Sequence, residues 1–135
     1  MAEVPPPEAQ VWMVKAWRDL ETARRAVNTE PPFYDIAAYH CQQAAEKAVK
    51  AFLVHHAKPH ERTHDIEVLI ALAGEVDPSF SELNEAADAL TPYATRFRYP
   101  NATFAVEPLP VECNEALQHA QTVYDFVLSR LPTTK

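Results

Sequence analysis

A chain of 135 residues has room for one domain with a real core, and 47% apolar against 23% charged residues is the mix of a soluble globular protein. Nineteen acidic residues outnumber twelve basic ones, and the formal charge of −7 excludes a broad surface for nucleic-acid backbones. The single glycine excludes every glycine-rich phosphate loop, and with it the ATPase and dehydrogenase classes built on such loops.

The opening MAEVPPPEAQ lacks the basic-then-apolar order of a secretory leader, and no apolar run approaches the roughly 18 residues of a membrane span. Two cysteines are too few for a disulfide framework and have no zinc-finger spacing, so a cytoplasmic protein with free thiols is expected. Most of the twelve prolines fall between stretches of helical periodicity, where they punctuate the chain. No repeat or low-complexity linker divides it, so residues 1–135 read as one domain with a core over about 8–131.

The first helix is predicted from Glu8 to Asn28, with Met13, Ala16, Leu20, Ala23 and Val27 inward and Lys15, Arg18, Asp19 and Arg25 wet; Pro31-Pro32 stops it. The second, Phe33 to Ala57, is apolar over most of its circumference and so reads as the central strut, its many alanines allowing close neighbours. Its polar residues, Tyr39, Gln43, Glu46, Lys47 and Lys50, fall on one strip. That strip reads either as a solvated edge or, on a helix so enclosed, as a face for a partner or ligand. A short third helix, His64 to Ala73, takes Thr63 as its N-cap, Asp65 in its first turn and Gly74 as its stop. The fourth opens on a Ser79–Glu82 capping box and carries Phe80, Leu83, Ala87, Leu90, Ala94 and Phe97 on one face, with a kink at Pro92. The fifth, Val111 to Leu131, buries Cys113, Leu117, Ala120, Val123 and Val127. The expected fold is all-α: an up-and-down bundle of four long helices plus one short helix.

His56, His60 and His64 are four apart and Glu61 sits three before His64, a superficial match to metal-ligand spacing. Pro59 breaks any helix that would align them, and a di-metal bundle needs two Glu-x-x-His motifs with two further glutamates. A histidine-rich turn is the expected reading, with no metal and no cofactor. Cys41 and Cys113 lie on helical stripes among alanines and valines and read as buried small hydrophobes. Glu46 and Lys50 are spaced i, i+4 in the supportive orientation. The run from Tyr93 to Pro100 gathers Arg96, Arg98 and two tyrosines; such a group suits a helix C-terminus, and equally a phosphate with a stacked base.

Three segments together resemble a known family. His40-Cys41-Gln42-Gln43-Ala44-Ala45-Glu46-Lys47-Ala48-Val49-Lys50-Ala51-Phe52-Leu53 is similar to the QAAEKxxKAxL signature of HEPN domains. Thr63-His64-Asp65-Ile66 resembles their THDL turn, and Arg98-Tyr99-Pro100 their RYP segment, in the family's order and separations. The resemblance implies a helical bundle, often a homodimer, nucleotide binding, and pairing with a minimal nucleotidyltransferase in the manner of a toxin and its antitoxin. It also implies, for many members, a metal-independent ribonuclease with an Arg-x4-6-His motif at the dimer interface. There the arginine steadies the phosphate and the histidine helps activate the ribose 2′-hydroxyl.

This sequence departs from that motif. The histidine positions after Arg96 hold Asn101, Ala102 and Thr103, and those after Arg98 hold Thr103, Phe104 and Ala105. Loss of a general base typically costs about 10²–10⁴-fold in rate, so no catalytic residue is assigned. The expected function is a non-catalytic HEPN-type module, dimeric, that binds nucleotide or a nucleotidyltransferase partner. Lys47, Lys50, His64, Arg96, Arg98 and Tyr99 are the candidate ligand-binding residues, and Gln43, Glu46 and Asp65 the candidate positioning residues. The alternatives are a ribonuclease with a rearranged Arg/His site that borrows His64, and a purely structural interaction protein.

Overall fold

The apolar spacing is realised as five α-helices, α1 (Pro7–Val27), α2 (Tyr34–His55), α3 (Ile66–Val76), α4 (Asn84–Leu90) and α5 (Pro110–Arg130), in a computed structural model that describes residues 7–60, 63–97 and 107–132. Among the described residues there is no strand, and no helix is long and apolar enough to cross a membrane. The fold class is the all-α bundle that the periodicity predicts.

α1 ends where Asn28 and Thr29 turn their side chains back onto the carbonyls of Arg24 and Ala26, and the prolines beyond cannot continue the ladder. The Phe33 amide donates to the Ala26 carbonyl at 2.8 Å, closing an antiparallel α1–α2 hairpin. Ala9, Ala16 and Ala23 of α1 and Ala37, Ala44 and Ala51 of α2 are all fully buried and recur every seven residues on their helices. A seven-residue repeat of small buried side chains on both helices allows their backbones to approach closely.

α2 is the central strut, as its composition indicates. Its end is a Schellman turn, in which Lys58 N–H reaches the Leu53 carbonyl and Ala57 N–H that of Val54. Ala57 sits there at φ 51°, a left-handed position that costs an alanine about 1 kcal/mol. The only glycine serves no such turn. Gly74 lies inside α3, which runs past it to Val76 rather than stopping there. Nor does Thr63 cap that helix: Asp65 does, accepting from the Glu67 and Val68 amides, while the Thr63 hydroxyl accepts from the Asp65 amide. α3 therefore begins two residues later than its pattern suggests.

The fourth long helix is the main departure. Its apolar stripe is carried by three short pieces: a 3-10 turn over Pro78–Leu83, α4, and a second 3-10 turn over Thr91–Ala94. The Ser79–Glu82 capping box does not form. Asp77 is the cap, taking both the Ser79 amide at 3.0 Å and the Ser79 hydroxyl at 2.6 Å, and Arg130 braces that same carboxylate from the end of α5. Where a kink is expected at Pro92, the winding changes from α to 3-10 at Thr91, with Pro92 in the first turn of the 3-10 segment.

α5 packs parallel to α2. At one end the Cys113 thiol faces the Tyr34 carbonyl at 3.8 Å, and at the other Phe80 meets Phe52 of α2 at a tilt and Phe126 of α5 edge-on. Cys41 and Cys113 are buried and free. Burial pushes both thiols up, Cys113 to about 11. A thiol-specific disulfide reagent near pH 8 should therefore leave the native protein almost untouched and titrate two groups once urea unfolds it. Rapid native labelling would show that these side chains are not sealed in the core.

Candidate functional site

The polar strip of α2 is neither a wet edge nor a bare cationic face. It lies between α1 on one side and the 63–66 turn leading into α3 on the other, and carboxylates organise it into two networks.

The first is centred on Glu46. Its carboxylate is only 2% exposed and accepts from Lys50 Nζ at 3.0 Å and Gln42 Nε2 at 3.2 Å. It also holds His64 Nδ1 at 2.9 Å. Lys50 itself is 5% exposed. Burying an ion pair costs several kcal/mol per charge unless further hydrogen bonds satisfy it, and Gln42 and His64 supply those. Gln42 also donates to the His64 carbonyl at 3.4 Å and accepts from Gln43 Nε2 at 2.7 Å, tying the turn to the helix. The His64 side chain is 74% exposed. Since a carboxylate only accepts, Nδ1 carries the proton and Nε2 remains as an acceptor in the neutral ring. Trp12 of α1 closes the network, with its ring 5.4 Å from Lys50 Nζ and edge-on to His60 at 6.3 Å.

The second network interleaves with the first along α2, through His40 and Lys47. Asp19, on α1, meets His40 Nδ1 at 2.8 Å through one oxygen and Lys47 Nζ at 2.6 Å through the other. Burial by itself would raise the Asp19 pKa; the hydrogen bonds and charges of His40 and Lys47 outweigh it and hold the carboxyl below its usual range. Asp19 is thus a buried residue, where its sequence position reads as wet.

Of the sequence candidates, Glu46, Lys50 and His64 meet directly, and Gln43 joins them through Gln42. Lys47 belongs to the second network. Asp65 belongs to neither network and is committed to the α3 amides as that helix's cap. Arg96 stands apart, near the start of α5, 4.0 Å from Glu112 and over the Phe97 ring, which stacks on Tyr93. Arg98 and Tyr99, with the rest of the RYP segment, lie outside the described residues, as do Glu61 and Arg62. Among the described residues, no group of three His, Cys, Asp or Glu is arranged to hold a metal ion. Sequence reasoning overlooks Gln42, Asp19, His40 and Trp12 as members of the site. Only Gln42 carries a local signal, its i, i+4 spacing to Glu46.

The arrangement can hold an exposed imidazole in one orientation beside buried charges and an indole. The HEPN domain sequence model matches residues 9–131, nearly the whole chain. The chain belongs to the HEPN family. Two solved structures share this HEPN fold. TT1696 from Thermus thermophilus is 28% identical with a TM-score of 0.79, over 93% of this chain and 100% of that one. ST0689, described as an archaeal HEPN homologue, is 28% identical with a TM-score of 0.69, over 90% of this chain and 96% of that one. Among curated proteins, none matches this HEPN sequence.

Proposed function

We propose that this HEPN domain is a non-catalytic binding module, acting as a homodimer, that takes a nucleotide or a nucleotidyltransferase partner at the α2 strip. The supporting observation is the exposed His64 ring held by the buried Glu46 carboxylate. A side chain so exposed ordinarily samples several rotamers; holding it in one, on a carboxylate that has given up its hydration, preorganises a hydrogen-bonding group for a ligand. Trp12, against Lys50, and His60, edge-on to it, add aromatic surface to the strip for a base. Lys47 and Lys50 are each matched by a carboxylate, so the site offers directed donors more than net positive charge.

Nucleotide at about ten times its dissociation constant should stabilise the native state by about 1.4 kcal/mol, visible as a rise of several degrees in Tm. His64→Ala should abolish that rise while lowering the unliganded Tm only by a few degrees, because Lys50 and Gln42 still hold Glu46 and water can replace the exposed ring. A panel of nucleoside mono-, di- and triphosphates at millimolar concentration with no shift would remove the nucleotide reading. One observation favours a second reading. A carboxylate that fixes Nδ1–H leaves Nε2 as the basic atom, which is how a general base is oriented. Cleavage of single-stranded RNA that survives chelator and is lost in both His64→Ala and Arg98→Ala would establish a ribonuclease instead.

A further inference from the structure

We propose that the solvent face of α1 docks an acidic amphipathic helix of another protein, at a surface separate from the α2 strip. α1 turns Met13, Ala16, Leu20 and Ala23 into the core, yet its opposite side is not uniformly polar. Val11, Val14 and Trp17 stand there between 45% and 56% exposed, at spacings of three residues. An exposed tryptophan beside aliphatic neighbours gains little from water and much from a partner, and Trp and Arg are the side chains that most often anchor protein interfaces.

Charge specifies the partner. Lys15, Arg18 and Arg25 surround the apolar residues, and among the described residues none of the three makes an ion pair. Glu21, on this face between Trp17 and Arg25, is already committed to Arg24 at 3.0 Å, and the exposed Glu8 lies at the start of α1, before Val11. Trp17, Arg18, Glu21, Thr22 and Arg25 line a shallow notch in which an anchoring side chain can seat. The face is therefore cationic and apolar on a chain whose net charge is −7. Its complement is a surface that carries both carboxylates and aliphatic side chains. From Val11 to Arg25 the face runs about 21 Å, four turns of helix, which one amphipathic helix can follow along its length.

The same features disfavour two other occupants. A second copy presenting this same face would bring Arg18 and Arg25 against like charges, with Glu21 unavailable to offset them. A nucleic acid would find no stacking surface on Val11 or Val14, and the acidic remainder of the chain would repel its backbone.

The test uses the full-length protein and a fluorescently labelled helical peptide of about 18 residues, with leucines at i, i+3, i+4 and i+7 flanked by glutamates. A scrambled peptide of the same composition is the control. Anisotropy titration should give saturable binding of the ordered peptide that weakens at least about tenfold as salt rises from about 50 to 500 mM. Trp17→Ala and the pair Arg18→Glu, Arg25→Glu should each weaken it about tenfold or more, with Tm unchanged because these side chains face water. Equal binding of the scrambled peptide, or binding indifferent to Trp17→Ala, would overturn the proposal. So would a sedimenting mass that falls from dimer to monomer in Trp17→Glu, which would assign the face to a second copy. Tighter binding of single-stranded RNA than of peptide, lost in Trp17→Ala, would assign it to nucleic acid.

Discussion

Glu46→Ala should be the most damaging single change in the polar strip, costing about 3–5 kcal/mol and lowering Tm by roughly 10 °C or more. The loss comes less from the contacts removed than from what stays behind. Lys50 remains buried without a counter-charge, and Gln42 and His64 lose the carboxylate they share. Removing both charges together separates this effect from simple loss of packing. Glu46→Leu with Lys50→Met should recover most of the stability, since replacing a buried ion pair with apolar side chains of similar volume is often neutral. It should not recover ligand binding, because nothing then orients His64. Equilibrium unfolding in urea measures each variant, and a Glu46→Ala cost below about 1 kcal/mol would show that the network does not hold the strip together.

Phe80→Ala should cost about as much, 3–5 kcal/mol, for a different reason. Its ring is fully buried, with centroids 4.4 Å from Phe52 and 4.9 Å from Phe126. It sits in the 3-10 turn between α3 and α4, held by the Asp77 cap and by Pro78 at the first position of the turn. A turn braced in that way cannot settle into the vacated space, so most of the cavity should persist. Phe80→Leu, which keeps much of the volume, should cost under about 1.5 kcal/mol. If alanine and leucine proved equally mild, the aromatic cluster would not be what fastens the α3–α4 reversal onto α2 and α5.

The helices differ in how clearly the sequence announces them. α1, α2 and α5 begin and end within about two residues of their expected limits because prolines and long apolar stripes bound them. The segment from Pro78 to Ala94 reads as one helix because an apolar stripe reports which face is buried. It does not report whether the backbone winds as α or 3-10. Phe80, Leu83, Ala87 and Leu90 remain inward through both windings. The end of α2 hides a similar trap: a left-handed residue is expected to be glycine, and here it is Ala57.

The site is legible only in part, and for a related reason. Glu46 and Lys50 announce each other because their pairing is local to one helix. His64 is 18 residues from Glu46, and Asp19 is 28 from Lys47. Such pairings exist only after the hairpin has closed and the 63–66 turn has folded back. Whether the strip faces water also depends on Trp12, which arrives from another helix. Periodicity supplies the residues of the strip but has no means of supplying its depth.

Asp19 carries one methylene fewer than a glutamate, yet it spans from α1 to both His40 and Lys47 on α2. It can do so because the buried alanines of the two helices, Ala9, Ala16 and Ala23 on α1 and Ala37, Ala44 and Ala51 on α2, leave little bulk to hold the backbones apart. Those alanines have no functional group, and they act as the gauge of the site, setting the distance that every polar side chain crossing from α1 must bridge. Trp12 depends on the same gauge for its place beside Lys50. A bulkier residue at Ala16 or Ala44 would part the helices and withdraw Asp19 and Trp12 together, silencing both networks while each helix kept its own hydrogen bonds. The residues that govern reach in this HEPN domain are therefore ones that an inspection of its polar atoms would pass over.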